Sequence, residues 1–199
     1  DIDFKNKNIV IQNEKYKITQ TIPYKVLFAA DGSGSAVRQA LLKHTQKTCS
    51  EDFLDYGYKE LSLSPGPNGN FKLTKNALHI WPRGHFMLIA LPNFDGSFTC
   101  TLFLPLRSSG QADSFEELKD ENAVKDFFQT HFSDVTPLID HLTDTFFKNP
   151  TGLMVTVKSP YWTAHAQDLL IGDAAHAIVP FFGQGMNCGF EDCTLLNED

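Results

Sequence analysis

Two glycine-bearing loops hold the residues whose types and spacing best suit chemistry. The first reads Asp31-Gly32-Ser33-Gly34-Ser35-Ala36-Val37-Arg38. The second begins at Gly172-Asp173-Ala174-Ala175-His176 and continues through Pro180-Phe181-Phe182-Gly183-Gln184-Gly185-Met186-Asn187. A loop that follows a strand and opens a helix points backbone N–H groups and the positive end of a helix dipole at one place, which suits a phosphate or another anion. The first loop approaches the GxGxxG pattern of dinucleotide sites. Val37, however, stands where the third glycine belongs, the one that allows close helix–strand packing. A simple helix N-cap after a tight turn therefore stays open for it. The second loop is more telling. Asp173 follows the apolar run Leu169-Leu170-Ile171 and so stands at the carboxyl edge of a sheet, where α/β proteins bind ligands. A carboxylate there accepts hydrogen bonds from sugar or polyol hydroxyls, and the glycines let a flat ligand approach the backbone. The pattern is that of a site for a large polar cofactor.

Other chemistries find less support. His176 has no second ligand four positions on and no HExxH spacing, so a structural histidine closing the turn is the better reading, and no metal site is expected. Ser33 and Ser35 lie in no GxSxG elbow. Cys49, Cys100, Cys188 and Cys193 form no CxxC pair and are read as free thiols in a reducing compartment. Phe181 and Phe182, flanked by Pro180 and Gly183, suit a pocket wall as well as a core.

The elements that must position these loops follow from the apolar patterning. Ile9 to Ile11 and Tyr16 to Thr19 read as strands around a turn. Tyr24 to Ala30 reads as a buried parallel strand ending at Asp31-Gly32. Ser33 or Ser35 then caps a helix running to about His44. Alternating runs at Tyr58 to Leu63, Ala77 to Trp81, Phe86 to Leu91 and Phe98 to Leu104, separated by turn clusters, predict an antiparallel sheet. Phe115 to Phe132 has the spacing of an amphipathic helix, and a short helix is expected from about Pro137 to Phe146. A strand follows at Leu153 to Val157, then the strand, turn and helix of the second loop. The expected architecture is α/β with an α+β insert. Residues 1–50 and 159–199 form parts of a cofactor domain, and residues 51–158 form an intervening substrate domain.

The chain has 199 residues, is 42% hydrophobic, includes 17 Phe and carries a net charge of −7. The composition is globular, and the acidic balance argues against nucleic acid and anionic membrane as partners. No run approaches the roughly 18 apolar residues of a membrane span. Asp1 and the last residues both read as internal, which suggests a fragment.

Together the two loops, their order, their long separation and the sheet between them resemble the DG and GD motifs of the single-component FAD-dependent aromatic hydroxylases. Within these, Tyr56 to Leu61, Leu78-His79-Ile80-Trp81-Pro82-Arg83, Met87 to Asn93 and Gly172 to Asp192 resemble the kynurenine 3-monooxygenases, from about Val26 to Asp192. That family has an N-terminal GxGxxG that this chain lacks. The resemblance implies a Rossmann-like flavoprotein hydroxylase fold with an antiparallel substrate-domain sheet, FAD and NADPH as cofactors, and O2 and L-kynurenine as substrates. Hydroxylation to 3-hydroxykynurenine would proceed through a flavin hydroperoxide, so no catalytic side chain is assigned. Cofactor contacts are implied for Asp31, Gly32, Arg38, Gly172, Asp173, Pro180, Gly183, Gln184, Gly185, Met186 and Asn187. Substrate contacts are implied for Leu78, Ile80, Phe86, Pro180, Phe181, Phe182 and Gln184. A soluble, cytoplasmic protein is expected, although eukaryotic members carry a C-terminal membrane anchor. The motifs also suit a hydroxylase of phenol, salicylate or a quinone precursor, or a flavin-binding module without catalysis.

Overall fold

The structure is a computed structural model that describes residues 1–13, 15–108, 110 and 113–198. In chain order its elements are β1 (Ile2–Asp3), β2 (Asn8–Asn13), β3 (Ile18–Pro23), β4 (Leu27–Ala29), α1 (Ala36–Thr45), β5 (Ser50–Leu63), β6 (His79–Arg83), β7 (Phe86–Pro92) and β8 (Phe98–Pro105). They continue with α2 (Glu121–His131), α3 (Leu142–Lys148), β9 (Gly152–Lys158), β10 (Asp168–Leu170), α4 (Asp173–His176) and α5 (Gly185–Glu198). The chain divides into two compact units: Asp1–Phe53 with Val155–Asp199, and Leu54–Met154.

In the first unit, β1, β2 and β3 form an antiparallel sheet, while β4 and β10 pair in parallel. Leu27 lies opposite Asp168 and Ala29 opposite Leu170, so both strands end at the same edge. The parallel strand is shorter than the apolar run from Tyr24 predicts. Helix α1 starts where its side chains can satisfy its free N–H groups. Ser35 Oγ accepts from Arg38 N at 2.9 Å, and the Asp31 carboxylate accepts from the Ser35 hydroxyl and from Val37 N. Of the two serines considered, Ser35 is the cap. The small core consists of Phe4, Ala29, Leu41, Leu170 and Ala175.

The second unit is built on the five-stranded sheet of order β6-β7-β8-β5-β9. Alternation decides its faces. Leu61, Leu63, Phe86, Leu88, Ala90, Phe98, Cys100, Leu102 and Leu104 all point to one side. There they pack with Val124, Phe127 and Phe128 of α2 and with Phe132, Val135, Ile139 and Phe146. The amphipathic spacing that begins at Phe115 holds as burial, since Phe115 and Leu118 join this core. The helix itself starts only at Glu121, because Asp120 caps it by accepting from Ala123 N at 2.9 Å. The expected helix after Pro137 is a 3-10 turn over Thr136–Leu138 followed by α3, the two separated by His141 in the left-handed region at φ 51°.

Candidate cofactor site

The carboxyl ends of β4 and β10 and one side of α5 enclose a cleft of about 460 Å³. Ala30 and Gly32 line it from the first loop, Ile171, Gly172 and Asp173 from the second, and Gly185, Met186, Gly189, Phe190 and Cys193 from the helix. Gly172 has φ 58° and ψ −142°, a conformation that only glycine adopts readily. A Cβ at Gly189 would stand 3.6 Å from the Gly172 Cα, and one at Gly185 would stand 3.7 Å from Asp173 Oδ1. Helix and turn thus lie within van der Waals reach of each other. Gly185 and Gly189 are four apart and share one helix face.

Asp173 is exposed, and among the described residues its carboxylate has no hydrogen-bond partner. It is therefore available to accept from hydroxyls in the cleft. The glycine cradle and this carboxylate fit the polyol chain of a flavin dinucleotide, and the N-terminal turn of α5 lies at the same cleft.

The machinery behind the cleft is more tightly bonded. The Arg38 side chain is fully buried. Its Nη1 donates to the Ala174 carbonyl at 2.8 Å, and its Nη2 donates to the Ser33 carbonyl and to Glu51 Oε1 at 2.7 Å. Arg38 thus ties the first loop to the second from behind and supports the cleft without lining it. Asp31 likewise serves the α1 N-terminus. Pro180 to Phe182 form a 3-10 turn that closes at Gly183, which has φ 61°. Gln184 Nε2 donates to the Phe182 carbonyl at 3.1 Å, and Asn187 Nδ2 donates to Gln184 Oε1 at 2.9 Å. These residues lead into α5 and lie outside the cleft lining. Phe182 is 88% exposed. His176 bonds Asp192 and packs against Trp162, with ring centroids 5.1 Å apart and planes tilted by 40°.

Leu78 and Ile80 are both about half exposed in the second unit. Phe86 is only 5% exposed and packs against Phe127, His131 and Phe132. Ile80 pairs with Ile89 and Arg83 with Phe86. Period-two alternation therefore puts Phe86 on the helix-covered face and Ile80 on the other, so these two of the implied substrate contacts lie on opposite sides of the sheet. Sequence reasoning missed Gly189 as a cleft residue, although a glycine inside a helical pattern is a signal of close packing. It also missed Phe190, Cys193 and the partner of Gly172, Asp192.

Parallel strands, a glycine turn at their carboxyl edge and a free carboxylate beside a helix N-terminus fit a nucleotide-cofactor site. The sequence profile of the FAD binding domain family matches residues 3–198, and the chain belongs to that family. Its curated relatives include the kynurenine 3-monooxygenase of Myxococcus xanthus, 50% identical over 198 residues, covering 100% of this chain and 42% of the relative. That of Dictyostelium discoideum is 48% identical over 195 residues, covering 98% of this chain and 41% of the relative. The chain thus spans well under half the length of these relatives. Among solved structures, the Klebsiella pneumoniae HpxO complexed with FAD and uric acid superposes with a TM-score of 0.64 at 18% identity, over 98% of this chain and 47% of that one. A 2-methyl-3-hydroxypyridine-5-carboxylic acid oxygenase gives a TM-score of 0.68 at 18% identity, over 90% of this chain and 46% of that one. At that identity these two structures establish the flavoprotein hydroxylase fold and nothing finer.

Proposed function

We propose that the protein carrying this chain is a monooxygenase that converts L-kynurenine to 3-hydroxykynurenine with FAD, NADPH and O2. One oxygen atom enters the ring, the other leaves as water, and NADPH supplies the two electrons. The reading is carried by the cleft at the β4 and β10 edge, with its free Asp173 carboxylate, in a chain half identical to enzymes named for this reaction. Bound FAD supplies the activation of O2 and the delivery of one oxygen atom. Asp173 accepts hydrogen bonds from the cofactor's polyol chain, and the N–H groups at the start of α5 stabilise negative charge on it. The Pro180-Phe181-Phe182-Gly183-Gln184 segment offers apolar surface for the substrate ring and keeps water from it. Leu78 and Ile80 are further candidates for contact with the substrate. The aniline nitrogen enriches the neighbouring ring carbon, so an electrophilic oxygen attacks it without a metal or an acid/base pair from the protein. Among the described residues no helix is long and apolar enough to cross a membrane, and we propose a cytoplasmic location.

The test is NADPH oxidation by the intact protein with and without L-kynurenine, with the product's mass measured. Faster oxidation and a product heavier by one oxygen are expected. Faster oxidation without an added oxygen would make kynurenine an effector of a related hydroxylase, and no acceleration would remove the substrate assignment.

A further inference from the structure

Asp192 lies on α5, twenty positions after Gly172 and outside the cleft lining. Its side chain is only 11% exposed. One of its oxygens, Oδ2, takes two bonds: the Gly172 N–H donates to it at 2.7 Å and His176 Nε2 donates to it at 2.7 Å. Gly172 immediately precedes Asp173, and His176 closes the short α4 that Asp173 opens. A single part-buried oxygen therefore holds the chain on both sides of the residue that faces the cleft. The hold matters because glycine at φ 58° has more backbone freedom than any other residue and does not keep that conformation by itself. The His176 ring is backed in turn by Trp162, whose Nε1 donates to the Ser159 carbonyl at 2.6 Å.

We propose that Asp192 is a positioning residue for cofactor binding: through the Gly172 N–H and His176 it sets the direction of the Asp173 carboxylate into the cleft. The ligand class is the hydroxylated chain of a flavin dinucleotide, so the inference rests on the reading of Asp173 given above. What Asp192 supplies is an acceptor at one point. An asparagine whose amide oxygen replaces Oδ2 can accept from the same two donors, whereas an alanine cannot.

The experiment measures FAD binding to the intact apoprotein by flavin fluorescence, together with the apoprotein's melting temperature, for Asp192→Ala, Asp192→Asn, Asp173→Ala and the double variant Asp173→Ala/Asp192→Ala. Asp192→Ala is expected to weaken FAD about tenfold, the loss typical of one hydrogen bond to a charged group. Asp192→Asn should stay within about threefold of the wild type. Because Asp192 acts through Asp173, the double variant should bind no more weakly than Asp173→Ala alone, the non-additivity expected of residues that act as one unit. Additive losses would show that Asp192 acts elsewhere and would overturn the proposal. So would a tenfold loss in Asp192→Asn, which keeps the test decisive if the alanine variant does not fold. A weakened Asp173→Ala beside an unchanged Asp192→Ala would refute this inference alone. An unchanged Asp173→Ala would refute the reading of the cleft and the inference with it.

Discussion

Replacing Arg38 by methionine probes the link between the two loops. Methionine keeps most of the side chain's length and apolar stem but has no donors. The Ala174 and Ser33 carbonyls then lose their partners, and Glu51 loses its counter-ion. Ala174 is fully buried, so its carbonyl finds no water, and an unsatisfied group of that kind costs about 1–3 kcal/mol. Ser33 is half-buried and partly rehydrates. Glu51 is 34% exposed and turns to solvent, so its share is small. Against these losses stands one gain: the guanidinium's Nε has no hydrogen-bond partner although it is buried, and that burden disappears with it. The balance is about 1–3 kcal/mol of destabilisation, set mainly by the buried Ala174 carbonyl left without a donor. At roughly 2–4 °C per kcal/mol for a domain of this size, melting should fall by roughly 2–12 °C. Thermal unfolding of the intact apoprotein, followed by circular dichroism, measures this. Glu51→Gln is the control: its amide oxygen still accepts, so the loss should stay below about 1 kcal/mol. An Arg38→Met variant that melts within a degree of the wild type would refute the clamp. So would a Glu51→Gln variant as damaging as Arg38→Met.

Two further outcomes follow from the placement of side chains. Cys193 is exposed at the cleft, whereas Cys100 is buried in the second unit's core, with its thiol pushed up to about 12 by burial. Maleimide should therefore modify Cys193 readily and more slowly when FAD is present, and should reach Cys100 only on unfolding, as peptide mass mapping would show; early labelling of Cys100 would contradict the core assignment. Phe86→Ala should destabilise the protein by about 3–5 kcal/mol, as expected for a truncated core aromatic, while Ile80→Ala should change stability little and act instead on the KM for kynurenine. Equal stability losses in denaturant titrations would contradict the assignment of these residues to opposite faces.

The Gly172-Asp173 turn was legible because its signals are local. An apolar run followed by Gly-Asp gives a strand end with a carboxylate at the sheet edge, and both facts concern neighbours in sequence. Ser35, Asp31 and the start of α1 are legible for the same reason. Asp192 is different. Its partnership with Gly172 depends on the phase of α5 about its own axis and on how closely that helix approaches the turn. The approach brings Gly172 and Gly189 side by side, which no local pattern links. Arg38 is similar: its use of the Ala174 carbonyl spans 136 positions. Nothing near Arg38 announces that partner, so the arginine reads as available to a ligand when its two terminal nitrogens are already bonded to the protein.

The faces of the second unit's sheet lie between these cases. Gly84 sits at φ 65° in the tight turn between β6 and β7, and that turn pairs Arg83 with Phe86. In a two-residue hairpin this pairing fixes every other pair along the ladder, and Ile80 falls opposite Ile89. The alternation of side chains then separates Phe86 from Ile80 without any knowledge of what covers either face. The apolar character of the two residues is the same, so composition and hydrophobicity group them together; only the register of the hairpin divides them. One face is closed by α2 and its phenylalanines, whose burial stabilises the unit. The other leaves Ile80 exposed, and an exposed apolar side chain beside a stable sheet can take a role in recognition at little expense to the fold.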